Sequence, residues 1–79
     1  MNNDILELAK EIEFNIQEEA KAVSDYTEFL KNLDSADIDE ITKNEIFDTI
    51  KEIIQDELNH QTRLHQTYTY LTGIEQNND

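Results

Sequence analysis

IFDTIKEIIQDELNHQTRLHQTYTYL, residues 46–71, is the stretch that decides the fold. Ile46, Ile50, Ile53, Glu57, His60, Leu64, Tyr68 and Leu71 recur at intervals of three or four, which puts them on one face of an α-helix. No Pro interrupts the run, and strand-like alternation of apolar and polar residues is absent from it. Thr42 with Glu45 fits a capping box at the start of this helix. Gly73, the only glycine of the chain, fits a left-handed stop at its end, with Ile74 folding back on the last turn. The spacing therefore predicts a helix over about 43–72 and a frayed tail over 74–79.

The N-terminal half repeats the pattern. Ile5, Leu8, Ile12, Ile16, Glu19, Val23, Tyr26, Leu30 and Leu33 follow one another by three or four residues, which predicts a helix over about 3–33 started by Asn3 or Asp4. Between the helices, residues 34–42 are rich in Asp and Ser and read as a turn, with one short helical turn over Ala36–Ile41. So short a link makes the helices antiparallel. The fold class is all-α: a single-domain, antiparallel two-helix hairpin. One hairpin of 79 residues covers only one side of its apolar stripes, so a homodimer, or a higher homo-oligomer built from it, is expected to complete a four-helix bundle.

Composition narrows the chemistry. There is no Cys, which excludes disulfides, zinc fingers and thiol catalysis and leaves only oxygen and imidazole as metal ligands. The formal net charge is −13, which repels phosphate backbones and argues against nucleic acid as a partner. The start, MNNDILELAK, lacks the basic and apolar regions of a secretion signal. No apolar run approaches membrane-spanning length. The expected location is the cytoplasm, or the interior of an enclosing protein shell.

Each seam is apolar along its length except near the middle. Glu19 breaks the first, close to the centre of its stripe; Glu57 and His60 break the second, one on either side of the centre. Glu19 stands 14 residues before Leu33 and Glu57 stands 14 after Lys43, so an antiparallel hairpin sets them at similar depth. A buried carboxylate must be protonated, paired or bound to metal, because leaving it charged and alone costs several kcal/mol. No Lys or Arg lies in either stripe to pair with it. Two hairpins would gather four glutamates and two histidines, and two divalent cations would balance the four carboxylates. A Glu-x-x-His pair alone is a weak signal; its seam position and its matched height with Glu19 give it weight.

These residues resemble the ferritin-like superfamily, especially rubrerythrins and the small encapsulated ferritins. The resemblance rests on Glu18-Glu19 with Tyr26 seven residues beyond Glu19, then Asp56-Glu57-x-x-His60, and it covers about residues 18–74. It implies that Glu19, Glu57 and His60 are metal ligands and that Tyr26 lies beside the carboxylates. It implies that Asp56 hydrogen-bonds a ligating His across the bundle and fixes its tautomer. It further implies two iron ions per dimer, with manganese or zinc as substitutes, and oxidation of Fe(II) by oxygen or peroxide. Standard ferritins and rubrerythrins carry four bundle helices in one chain, whereas the encapsulated ferritins share the two-helix plan with a di-iron site between subunits. The alternative reading is a non-enzymatic acidic helical interaction module, an accessory or decoy protein for a basic partner.

Overall fold

The computed structural model describes the backbone of residues 3–77 and the side chains of residues 3–74. Two helices, α1 (Asn3–Ser35) and α2 (Glu40–Asn77), pack along their lengths, and there is no strand among the described residues. Three cross-helix interactions fix the antiparallel register. The Lys43 ammonium donates to the Asp34 carbonyl near the turn (2.9 Å), His60 lies against Glu19 midway, and the Tyr68 phenol donates to the Glu13 carboxylate farther out. That last bond holds the phenol's pKa above its ordinary value, because the phenolate would face a carboxylate.

The linker is tighter than the sequence suggests. Among the described residues only 36–39 are non-helical, and no separate helical turn forms over Ala36–Ile41, since Glu40 and Ile41 already belong to α2. The backbone closes through Ala36 N to Leu33 O (3.1 Å) and Ile38 N to Ala36 O (3.0 Å). The cap of α2 is Asp39 rather than Thr42. Its Oδ1 accepts the Thr42 backbone N–H at 2.9 Å and its Oδ2 accepts the Thr42 hydroxyl at 2.8 Å. An aspartate caps as a threonine does and adds a negative charge at the positive end of the helix, so it wins the competition and draws residues 40–42 into the first turn. Those two donors hold the Asp39 carboxyl below its ordinary range.

The far end also departs from expectation. α2 does not stop at Gly73; no glycine has a positive φ among the described residues, and the helix runs on to Asn77. No Pro follows to end it, and Glu75 and Gln76 are good helix formers. Of the expected frayed tail, 74–77 is helical, and 78–79 lies outside the described residues. A Cβ at Gly73 would meet nothing within 4 Å. Gly73→Ala is therefore expected to raise stability by roughly 0.5–1 kcal/mol, measured by urea titration.

The core is thin. Among the described residues only Ala9 and Leu33 are buried, each 6% exposed. Ile5, Ile12, Ile16, Val23, Tyr26 and Leu30 of α1, and Ile46, Ile50, Ile53, Leu64, Tyr68 and Leu71 of α2, are half-buried as expected. α1 is rolled slightly relative to its expected stripe, so that Ala9 enters the seam and Leu8 stays 48% exposed. Small Ala9 permits the close approach of the helices that the bulkier leucine would oppose.

Candidate metal centre

Glu19, Glu57 and His60 meet at mid-height of the hairpin, each projected from the middle of an uninterrupted helix. Glu57 and His60 are three apart, so they lie one above the other on the same face of α2. Glu19 reaches them from α1. His60 Nδ1 lies 3.5 Å from Glu19 Oε2 and 3.9 Å from Glu57 Oε1. One potential ligand atom from each residue falls within 4.8 Å of the others. The two glutamate side chains are mostly covered, with 25% and 21% exposure, while His60 is 54% exposed. His60 thus stands at the edge of an open groove instead of inside the hairpin.

The electrostatics are those of a site short of positive charge. The Glu57 carboxyl is held above the ordinary glutamate range. The main cause is a hydrogen bond with the Glu19 carboxyl, which only the protonated acid can donate. Burial and repulsion from Glu19 act in the same direction, and His60 opposes them. Meanwhile Glu19 Oε2 is sealed from solvent and has no hydrogen-bond partner. A buried carboxylate oxygen without a partner is costly, and it is the type of atom a cation relieves.

The donor set suits a divalent transition metal. Two ligand atoms about 2.1 Å from one ion lie roughly 3.0–3.4 Å apart, so the observed 3.5 and 3.9 Å separations need only small side-chain adjustments. Two carboxylates and one imidazole are a mixed hard and borderline set, appropriate to iron, manganese or zinc. Three protein ligands fill neither a tetrahedral nor an octahedral shell, and His60 faces the groove where further ligands would enter.

Tyr26 is half-buried on the seam, two helical turns from Glu19 on the side of the turn, and Asp56 is exposed beside Glu57. His65 is exposed and outside the cluster, as its position on the helix implies. Arg63, the only arginine of the chain, lies outside the apolar stripe of α2. It lines the groove with Asn15, Glu19, His60 and Leu64. Its signal in the sequence was its position one turn after His60.

The raised pKa of Glu57 makes the stability of the metal-free protein depend on pH. Between the ordinary glutamate pKa and the raised one, the folded chain binds more protons than the unfolded chain. Its stability therefore falls as pH rises through that window and is recovered below it. Thermal melts without metal should thus show a lower Tm at pH 7 than at mildly acidic pH. Glu57→Gln should flatten that slope, which separates this effect from the general relief of charge repulsion.

No family model matches the chain, and neither a curated protein nor a solved structure does. No helix among the described residues is long and apolar enough to cross a membrane.

Proposed function

We propose that this chain is a ferritin-like, di-metal carboxylate protein whose site is completed between two copies, and that its activity is oxidation of Fe(II). The observation that carries the reading is the convergence of Glu19, Glu57 and His60 around a sealed, unpartnered carboxylate oxygen. The sequence resemblance to rubrerythrins and encapsulated ferritins concerns the same three residues.

Dimerisation is supported by the surface the hairpin leaves exposed. The accessible area is 6121 Å². A compact monomer of 9.3 kDa exposes about 5,000 Å², so the excess is on the order of 1,000 Å². A standard interface removes about 800 Å² from each partner. The elongation agrees, with a radius of gyration of 18.0 Å against roughly 12 Å for a globular chain of this length.

In the dimer, Glu19, Glu57 and His60 of each copy would hold one of two metal ions. Bound metal would supply an electron acceptor and donor site that is open to oxygen or peroxide on the His60 side. The chain's own residues do the rest. The carboxylates favour cations over anions, His60 gives a neutral ligand that holds the net charge in balance, and the isoleucines above and below limit water. Tyr26 takes a supporting role beside the carboxylates. Oxidation passes one electron from each of two substrate Fe(II) ions to one oxygen molecule, which takes up two protons and leaves as hydrogen peroxide.

Aerobic Fe(II) titration tests the reading. The wild type should oxidise Fe(II) faster than buffer, with a break near two irons per dimer, and Glu57→Ala should oxidise at the buffer rate. Equal rates for wild type and Glu57→Ala would refute a catalytic role. Metal binding without any oxidation would leave a metal-assembled scaffold.

A further inference from the structure

The groove that exposes His60 has a pattern of its own. On α1, Leu8, Asn15, Ala22 and Phe29 are seven residues apart, and on α2, Thr49, Asp56, Arg63 and Tyr70 are likewise seven apart, so helical geometry sets each row along one flank of its helix. Two hollows place the middle of these rows beside His60. Asn15 and Arg63 line one between the helices with Glu19 and His60, and Asp56 and Arg63 line an adjacent one on the α2 surface with His60. Tyr68 and His65, with Glu13 and Ile16, line a hollow on the other side of the hairpin. Leu8, Phe29 and Tyr70 are 48%, 45% and 71% exposed. Neither Asp56 nor Arg63 has an ion-pair partner among the described residues.

Both rows have their centres at the metal centre. The α1 row is centred between residues 18 and 19, and the α2 row between residues 59 and 60. The hairpin places those two points side by side, since Glu19 touches His60. A twofold axis through them, perpendicular to the helices, would set each helix antiparallel against its own copy. Position 8 would then face position 29, position 49 would face 70, and position 56 would face 63.

We infer that this groove is the interface with a second copy of the chain, docked antiparallel about that axis. Asp56 then pairs with Arg63 of the partner subunit, twice by symmetry, on either side of the metal centre. The inference rests on the dimer proposed above and specifies its geometry.

Chemistry selects this orientation. It joins large apolar residues at the ends, Leu8 with the partner's Phe29, and opposite charges in the middle. The other closed arrangement, with the twofold axis along the helices, would set α1 against α2 of the partner subunit. Asp56 would then face Ala22, and Arg63 would face Asn15, and both charges would stay unpaired near the buried centre. The pairing also gives the only arginine of a strongly acidic chain a defined task, choosing one dimer over the other.

The test is a charge swap read by sedimentation equilibrium at low salt with saturating Mn(II), with far-UV circular dichroism to confirm folding. Asp56→Arg and Arg63→Asp each set like charges opposite each other and should weaken the dimer by about tenfold or more. The double variant should recover to within about threefold of the wild type, because the swapped pair is again opposite in sign. A wild-type dimer with a double variant no better than the singles would overturn this orientation while leaving dimerisation in place. A monomeric wild type would overturn both. A second measurement exploits the lack of native cysteine. Chains carrying Asn15→Cys and chains carrying Ala22→Cys should cross-link when mixed and not when alone; self-linking of either would contradict the antiparallel register.

Discussion

Glu57→Gln is expected to make the metal-free protein more stable and to abolish its stabilisation by metal. The two effects have one cause. Without metal, Glu57 and Glu19 crowd each other, and the Glu57 carboxyl is held protonated above its ordinary range by that neighbour. A neutral amide of the same shape removes the repulsion and can donate the hydrogen bond without needing a proton from solution. Melting without metal at pH 7 should therefore give a higher Tm for the variant than for the wild type. With metal the order reverses. A ligand present at a hundred times its Kd stabilises the folded state by about 2.7 kcal/mol. In a domain of this size that corresponds to a Tm rise on the order of 10–20 °C. Mn(II) should give the wild type such a rise and give Glu57→Gln almost none. A variant that melts lower than the wild type without metal would show that Glu57 is a structural residue and not a ligand held in readiness.

The second large effect is expected at Leu33. Among the described residues it is the only large side chain that is buried, at 6% exposure, and it lies where the turn closes and Ala36 N bonds its carbonyl. Leu33→Ala should cost roughly 2–5 kcal/mol, the usual loss for a buried leucine, with the higher end expected where the site cannot collapse. A hairpin with so little else buried has few other contacts to draw on. Urea titration by circular dichroism should show the midpoint falling sharply or the transition disappearing. Leu8→Ala is the contrasting control. Leu8 is 48% exposed in the single hairpin, so its loss should scarcely alter the helical content of a chain diluted to monomer but should weaken the dimer.

What the sequence disclosed and what it withheld have physical causes. The two helices and their antiparallel register were legible because apolar residues recur at helical spacing and the link is short. Glu19, Glu57 and His60 were legible because each interrupts an otherwise apolar stripe, at heights that match across the hairpin, and the structure brings them together. Less legible were choices between near-equal alternatives. Asp39 and Thr42 can each cap α2, and only the observed bonds from Thr42 to Asp39 decide between them. Gly73 is compatible with both a stop and a continuing helix. Leu8 and Ala9 are consecutive and fall about 100° apart on the wheel, at opposite edges of the stripe; a stripe traced through large residues selects Leu8, whereas close packing of the helices favours Ala9. The exposure of His60 escaped the sequence because it depends on how the two helices roll on each other. That exposure points the incomplete side of the metal centre at the groove where a second copy would sit.

The central claim is that two hairpins share one di-metal centre. Anomalous diffraction at the iron edge, from crystals grown anaerobically with Fe(II), tests it most directly. The account predicts two iron peaks per dimer, each within ligand distance of Glu19, Glu57 and His60, with a carboxylate between them and the twofold axis passing midway. Dimers without iron density at these residues, or a single peak bound by one chain alone, would contradict it.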